Sequence, residues 1–274
     1  MPCSFKNYIF IAVGLATLSG TIYAQQATVA ELLRKQAEQG AAAAQYSLGW
    51  MYATGEGVPE SDAEAVRWYR LSAEQGYAAA QYSLGWMYAT GQGVPQAVAE
   101  AVRWYQLAAD QGVARAQFTL GVMYAFGRGV LENKVESARW YRLAACQGVA
   151  EAQFTLGVMY ASGDGIPQDA TEAVKWYRLA ADQGVAMAQY DLGLMYANGE
   201  DVRQDNVTAS MWFSLAASRS TGYLRNDAIR ARDIMDERLI ADQRIAAQQL
   251  AQAWKPRNVI PSLSVCSETD NPRR

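Results

Sequence analysis

The chain has 274 residues, of which 51% are hydrophobic and 19% are charged. Its 24 Lys and Arg residues against 27 Asp and Glu residues give a net charge of −3, and it contains no histidine. A mildly acidic surface does not attract a phosphate backbone, so we expect no nucleic-acid partner. The lack of histidine excludes Ser-His-Asp and Cys-His nucleophiles and histidine-based metal sites. No other catalytic constellation is present, and we predict no catalytic residues, no cofactor and no metal.

The first 24 residues have the pattern of an export signal. Lys6 stands before a short apolar run at residues 9–18, and Ala24 ends a small-residue cleavage site. The run is shorter than the roughly 20 residues that a membrane-spanning helix needs. We therefore predict a signal peptide over residues 1–24 and a periplasmic or secreted mature chain without a membrane span. An uncleaved anchor is the alternative interpretation.

A phrase of 36 residues is written five times in the middle of the chain. A chain of this kind is a stack of similar units, each unable to bury its apolar face without a neighbour. The units are predicted at residues 41–76, 77–112, 113–148, 149–184 and 185–220. One tryptophan recurs in every unit beside tyrosine and leucine at helical spacing, which predicts core positions for Trp68, Trp104, Trp140, Trp176 and Trp212.

Each unit is predicted to be a pair of antiparallel helices. In the first unit the first helix runs over residues 42–54, with Ala44, Leu48 and Met51 on one face, and it ends at Gly55. A Gly-x-Gly-Val-Pro turn follows, which cannot continue a helix. Gly49 and its counterparts lie inside the first helices, where glycine costs about 1 kcal/mol relative to alanine. We expect a close packing contact at these glycines that leaves no room for a side chain.

The second helix of each unit begins at a short polar residue. An oxygen there accepts a hydrogen bond from an otherwise free backbone amide, as predicted for Ser61, Asn133, Asp169 and Asp205. A glutamate follows three positions later in three units, which predicts capping boxes with Glu64, Glu136 and Glu172. Ala97 breaks the pattern in the second unit, so we expect its second helix to have the most frayed start. The recurring basic residues at the Arg67 and Arg70 phases are interpreted as solvated surface.

The two ends differ from the repeats. Residues 25–40 match only the second helix of a unit, with Leu32 and Leu33 in the tryptophan and tyrosine phases. Residues 221–255 are predicted to form one or two capping helices, and residues 256–274 a flexible tail. Cys146 and Cys266 are too few for a disulfide framework. A bridge between them is possible, but unpaired thiols are favoured.

These phrases resemble the Sel-one-like repeat, a branch of the tetratricopeptide-type solenoids. The matching motifs are Ala-x-x-x-Leu-Gly-x-Met-Tyr at residues 44–52, Gly-Glu-Gly-Val-Pro at 55–59 and Ala-Val-Arg-Trp-Tyr at 65–69. The fifth unit departs from the pattern at Asp201, Arg203 and Phe213. The resemblance implies an all-α, right-handed α-solenoid with a C-terminal helical cap. It also implies a binding adaptor. Some cysteine-rich relatives have been linked to penicillin binding, which is not carried over because their regular cysteine pairs are missing here.

The positions that differ between units share one face of each first helix, opposite the repeated core. We call this face the first-helix stripe: it comprises positions 43, 47, 50 and 54 and their equivalents at intervals of 36 residues. An indole on such a face is a frequent anchor of protein interfaces. The predicted partner-binding residues are Trp50, Trp86, Arg115, Phe126 and Glu151. The competing interpretation, slightly favoured for the two tryptophans, is packing at a seam between units.

The sequence thus predicts an exported, non-catalytic scaffold that binds a protein or peptide along its groove. A periplasmic immunity protein that neutralises a secreted effector is a rival within the same class. An enzyme acting on cell-wall glycan or on a β-lactam is a second class, and self-assembly through one end of the stack is a third.

Overall fold

The computed structural model describes residues 30–257 together with residues 261 and 266. The predicted signal peptide, residues 1–24, lies outside this part of the chain. Every regular element within the described part is a helix. The predicted all-α class, built from five tandem helix pairs, is therefore confirmed. The chain divides between Val113 and Ala114 into two compact units.

Unit 1 contains the first two repeats. A helical segment at residues 30–38 (α1) stands where the sequence predicts an isolated second helix. It is followed by two helix pairs in which α3 also packs against α4. Their bounds are Ala42–Thr54 (α2), Asp62–Glu74 (α3), Ala78–Thr90 (α4) and Val98–Asp110 (α5).

Unit 2 contains the other three repeats and the capping helices. The repeats comprise Ala114–Phe126 (α6), Lys134–Cys146 (α7), Ala150–Ser162 (α8), Ala170–Asp182 (α9), Ala186–Asn198 (α10) and Asn206–Arg219 (α11). Two further helices, Gly222–Arg238 (α12) and Ala241–Ala253 (α13), pack against α11. Asp201 adopts a left-handed backbone with φ of 56°, which maintains in the fifth repeat the turn that glycine makes in the others.

The loop inside each repeat is closed by a backbone hydrogen bond. The N–H of Ser61 donates to the carbonyl of Tyr52 at 2.8 Å, and the same bond recurs in the other four repeats. The Ser61 hydroxyl accepts a bond from the N–H of Glu64 at 3.3 Å, so the predicted cap is present. The caps predicted for the third, fourth and fifth repeats are also present, and α5 begins at Ala97 without a side-chain cap.

The predicted capping boxes are wrong. A capping box needs a free N–H at the cap residue, but the tyrosine carbonyl already accepts that N–H. The Glu64 carboxylate instead pairs with Arg67 one helical turn later, with 3.1 Å between Oε2 and Nη1. Glu136 and Glu172 pair in the same way with the cation three residues further on.

The glycines inside the first helices lie against an aromatic ring, as their phase predicted. A Cβ built on Gly49 would be 2.7 Å from Cδ1 of Tyr69, and one built on Gly121 would be 2.6 Å from Cδ1 of Tyr141. Real Cβ atoms do not approach carbon this closely, so each glycine admits the ring of the second helix in its own repeat. The same contact recurs in all five repeats.

Four of the five recurring tryptophans are buried as predicted, and Trp104 is half-buried. The basic residues beside them are exposed, as interpreted from the sequence, and they also contact aromatic side chains. The Arg67 guanidinium lies over the Trp68 ring, 4.9 Å from its centroid. Arg70 donates to the Tyr88 hydroxyl of the next repeat at 2.6 Å.

Buried glutamines connect successive repeats. In unit 1, Gln45 Nε2 donates to the carbonyl of Ala37 at 3.0 Å, and its Oε1 accepts from Gln75 Nε2 at 2.6 Å. In unit 2, Gln153 and Gln183 repeat this arrangement. Because a buried amide without partners is costly, these bonds specify the register in which one helix pair docks on the next.

Cys146 and Cys266 form a disulfide, with 5.9 Å between their Cα atoms. The preference for unpaired thiols is therefore wrong. The cysteines are 120 residues apart, so no local pattern signals the bridge. The bridge attaches residue 266, within the segment predicted as a flexible tail, to the third repeat.

Candidate partner-binding surface

In unit 1 the first-helix stripe is uncharged. Helices α2 and α4 have the same 13-residue sequence, so the stripe presents the same four side chains twice. The Thr54 hydroxyl donates to the carbonyl of Trp50 at 3.0 Å, and the Ser47 hydroxyl donates to that of Ala43 at 2.9 Å. These polar groups are satisfied within their own helix, which leaves the indoles as the largest apolar groups of the stripe.

The two stripe tryptophans are exposed. Trp50 retains 44% and Trp86 43% of its accessible surface, while neighbouring Leu48 and Met51 are buried. The helical period explains the difference, because position 50 points away from the face that packs on the second helix. Each indole is therefore partly covered by neighbouring groups and partly open to solvent.

In unit 2 the same stripe carries charge. Arg115 and Glu151 begin the stripes of α6 and α8, are exposed, and form no ion pair within the described part of the chain. The equivalents of the stripe tryptophans are aliphatic here: Val122 and Leu194 are half-buried and Val158 is exposed.

Phe126 ends α6 and retains 64% of its surface. Two cations lie over its ring, Arg128 at 5.6 Å and Lys134 at 5.7 Å from the centroid. Lys134 also pairs with Asp164 at 3.5 Å. Nearby in sequence, Leu131 stands in the phase of the loop proline and is 90% exposed. This loop therefore offers an aromatic ring framed by positive charge.

The predicted site residues thus fall into two groups. Trp50 and Trp86 occupy equivalent positions on successive first helices of unit 1. Arg115 and Phe126 lie at opposite ends of the stripe of α6, and Glu151 begins that of α8 in unit 2.

Asp191 is a stripe residue that the sequence did not single out. It occupies the phase held by serine or threonine in the other repeats. Burial raises the pKa of its carboxyl group from 3.8 to about 6, because a partly desolvated carboxylate is disfavoured in its charged form. Its charge in turn contributes to a raised pKa of Tyr177. A shifted carboxyl group on a variable face is a candidate contact for a partner.

A cleft in unit 1 that is lined by no stripe residue was also missed. It has a volume of about 690 Å³ and lies between α3 and the loop of the second repeat. Arg67 and Arg70 border it, and its apolar lining includes Val66, Leu71 and Val94. The cleft forms where a second helix meets the loop of the next repeat, so the sequence pattern of a single repeat does not predict it.

The described residues contain no group of three or more His, Cys, Asp or Glu side chains placed to hold a metal ion. In the same part of the chain, no helix combines the length and apolar character required to cross a bilayer.

Comparison with known proteins identifies the repeats. Residues 42–77, 78–113, 114–149, 150–185 and 186–220 each match the Sel1 repeat. A Sel1 repeat protein from Oxalobacter formigenes is 32% identical, with a TM-score of 0.64 over 72% of this chain and 86% of that one. The protein c5321, a protective antigen of uropathogenic Escherichia coli strains with an SLR fold, is 34% identical, with a TM-score of 0.67 over 83% of this chain. The chain covers only 53% of c5321. No curated protein matches the sequence.

Proposed function

This chain belongs to the Sel1 repeat family, whose members commonly mediate protein–protein interaction, and we propose that it is an exported scaffold. In this proposal it binds a protein or peptide partner through the first-helix stripe and performs no chemistry itself.

The exposure of Trp50 and Trp86 is the observation that carries the proposal. The same fold buries Trp68 and Trp140 almost completely, so this chain has core positions for indoles and nevertheless places two on an open face. Tryptophans that are truncated at the centre of an interface typically cost about 2 kcal/mol or more in binding. The stripe of unit 1 has no charge to desolvate, which favours an apolar segment of the partner there.

In this proposal the charged stripe of unit 2 orients the bound partner. Arg115 and Glu151 are exposed and free of ion pairs within the described part of the chain, so they remain available to a partner. Exposed charges at the rim of an interface change association rate and specificity more than affinity. Phe126, with Arg128 and Lys134 over its ring, would suit an acidic side chain of the partner.

Export rests on the signal pattern of residues 1–24, and the disulfide supports it. Bridges persist in oxidising compartments and are rare in the cytosol. The test is the mass of the mature chain from a periplasmic fraction. A mature chain that begins after Ala24 is expected. A chain that keeps Met1 would contradict cleavage and favour the uncleaved anchor, and absence of the chain from this fraction would contradict export.

The absence of catalysis is also part of the proposal. Glycoside hydrolysis uses a pair of carboxyl groups. Asp191 is the stripe residue whose carboxyl pKa is markedly raised, and burial, not a neighbouring acid, is the cause of that shift. Turnover of cell-wall glycan or of a β-lactam by the purified chain would replace the scaffold proposal with an enzyme.

Crosslinking in envelope extracts tests the binding surface. The full chain is compared with a Trp50→Ala, Trp86→Ala variant and with a matched Leu71→Ala, Leu107→Ala control. The control also removes two exposed apolar side chains from the same two repeats, but from the second helices. We expect the tryptophan variant to lose the partner and the leucine control to retain it.

Other outcomes redirect the proposal. Loss of the partner only in the leucine control would move the site to the second-helix cleft. Equal recovery by all three chains would reject both surfaces. A stoichiometric complex with a toxic effector, accompanied by its inhibition, would make the chain an immunity protein.

A further inference from the structure

The C-terminal segment contacts the ends of three successive second helices. Cys146, Asp182 and Arg219 are the last residues of α7, α9 and α11, and together we call them the helix-end row. The indole of Trp254 lies 4.2 Å from the Arg219 guanidinium. Three residues later, the N–H of Arg257 donates to the carbonyl of Asp182 at 2.8 Å. Further along, Cys266 is bridged to Cys146.

Each contact has a distinct physical basis. A helix C-terminus presents free carbonyls and partial negative charge, and the N–H of Arg257 donates to one of these carbonyls, that of Asp182. The Arg257 guanidinium lies 3.9 Å from Oδ1 of the Asp182 carboxylate, where it offsets the negative charge at this helix end. Gly184 lies against the indole: a Cβ there would be 3.7 Å from the Trp254 ring, which is an ordinary van der Waals distance. Trp254 and Cys266 pack against the core of unit 2, and Pro261 is buried.

The contact with Trp254 leaves one buried group unsatisfied. In other repeats the glutamine at the phase of Arg219, such as Gln183, donates to the buried first-helix glutamine. In the fifth repeat Arg219 lies against Trp254 instead, and the Oε1 atom of Gln189 is buried without a hydrogen-bond partner in the described part of the chain. If the segment left, Arg219 would be free to donate to Gln189, which would stabilise the released state.

We propose that Trp254, Arg257 and Cys266 act as a disulfide-locked strap on the helix-end row, and that reduction of the bridge releases it. A thiolate of a dithiol reductant attacks one sulfur of the Cys146–Cys266 bond, and the second thiol of the reductant resolves the mixed disulfide. Two electrons and two protons pass to the two cysteines, which become thiols, and the reductant becomes a cyclic disulfide. Both cysteines are only partly buried, so the bridge is accessible to such a reductant.

Release exposes the Asp182 carboxylate and carbonyl and the Gly184 surface. These groups now hold an indole followed three residues later by an arginine. The uncovered row therefore fits an extended segment of a partner with the same aromatic and cationic side chains. Covalent closure would keep such a partner out until the bridge is reduced.

Limited proteolysis of the full chain tests the strap. Trypsin cleaves after Arg257 only when the surrounding backbone opens, and the proline after Lys255 protects the preceding site. We expect at least tenfold faster cleavage at Arg257 after reduction with dithiothreitol, measured by mass spectrometry. Cleavage at Arg244 in α13 is the internal control and should not change.

Two variants separate release from general unfolding. Cys266→Ser should cleave at Arg257 as fast as the reduced chain, with unchanged helical circular dichroism. Asp182→Ala removes the carboxylate next to the Arg257 guanidinium while the bridge stays intact. Without reductant, this variant should show a smaller increase in the rate of cleavage at Arg257. Equal cleavage at Arg257 in the oxidised and reduced chains would reject the strap. A parallel rise at Arg244 would also reject it, because the bridge would then support the whole of unit 2.

Discussion

Repeats 1 and 2 of unit 1 and repeats 3 to 5 of unit 2 share a core but present different surfaces. Both units use the glycine–ring contact and the buried glutamines, as Gly85 with Tyr105 and Gly157 with Tyr177 illustrate. Unit 1 presents an uncharged stripe with two indoles, whereas unit 2 presents Arg115, Glu151 and Asp191 and is closed by a disulfide. The difference shows that packing determines the residue type at the core positions of each repeat, whereas the stripe positions can vary and acquire function.

Removing the bridge should have the largest effect, and that effect should be confined to the C-terminal segment of unit 2. Cys146→Ser opens a connection between residues 120 apart, and a disulfide typically contributes about 2–4 kcal/mol. The loss should fall on the opening of the peptide that contains Arg257, while the peptides of α13 should not change. Hydrogen exchange followed by mass spectrometry measures the free energy of opening for peptides of each unit. Unit 1 peptides serve as the control. An equal loss in both units, or none in unit 2, would contradict the comparison.

Filling the glycine contact should destabilise both units, since it belongs to the shared core. Gly121→Ala gains about 1 kcal/mol of helix propensity but forces a Cβ to 2.6 Å from the buried Tyr141 ring. We expect a net loss of about 2 kcal/mol, seen as a lower melting temperature. Gly85→Ala is the matched change in unit 1, with the Tyr105 ring at 2.9 Å, and should cost somewhat less. A melting temperature equal to or above that of the native chain would refute the packing argument.

Asp191 gives unit 2 a pH dependence that unit 1 lacks at this phase. Its folded-state pKa of about 6 lies above its usual 3.8, so the folded state favours the protonated carboxyl group. Its contribution to stability is complete below pH 3.8 and is lost as the pH rises through 6. Asp191→Ser should therefore stabilise the chain by about 1–2 kcal/mol at pH 7.5, after allowance for partial exposure, and by little at pH 4.

Denaturant unfolding at the two pH values measures this effect. The reciprocal variant, Ser83→Asp, places a carboxyl group in the same phase of unit 1 and should lower stability at pH 7.5. If Asp191→Ser has the same effect at both pH values, the cause is packing and not charge.

The smallest expected effect concerns the uncapped helix of unit 1. Ala97→Asp supplies the missing cap of α5 and should raise stability by about 1 kcal/mol. Thermal unfolding measures the gain. The reverse change, Asp169→Ala in unit 2, removes an existing cap and should cost a similar amount. No gain from Ala97→Asp would show that this helix start is already held by its other contacts.

The sequence predicted the features that recur in every repeat. It missed those that depend on residues far apart in the chain or on groups that compete for the same hydrogen bond. It gave the bounds of α2 and the phase of Gly49, because a core contact imposes the same residue in every unit. It could not show that the Tyr52 carbonyl takes the N–H that a capping box would need. For Trp50 it slightly favoured packing at a seam over an exposed role, because the exposure of this indole depends on the neighbouring helix. The bridge to Cys266 has no periodic signal at all.

The glutamine bonds between repeats have a consequence for how such a chain grows. Gln45 and Gln75 bond to each other within one repeat, whereas Gln81 Nε2 donates to the carbonyl of Ala73 in the preceding repeat at 3.2 Å. Every repeat contains both a first-helix glutamine and a second-helix alanine at these phases. A duplicated segment of 36 residues therefore arrives with matching ends and requires no new interface. The identity of α2 and α4 is what a recent tandem duplication would leave behind. Duplication within the gene can thus change the length of the array by whole repeats while the contacts between existing repeats stay intact.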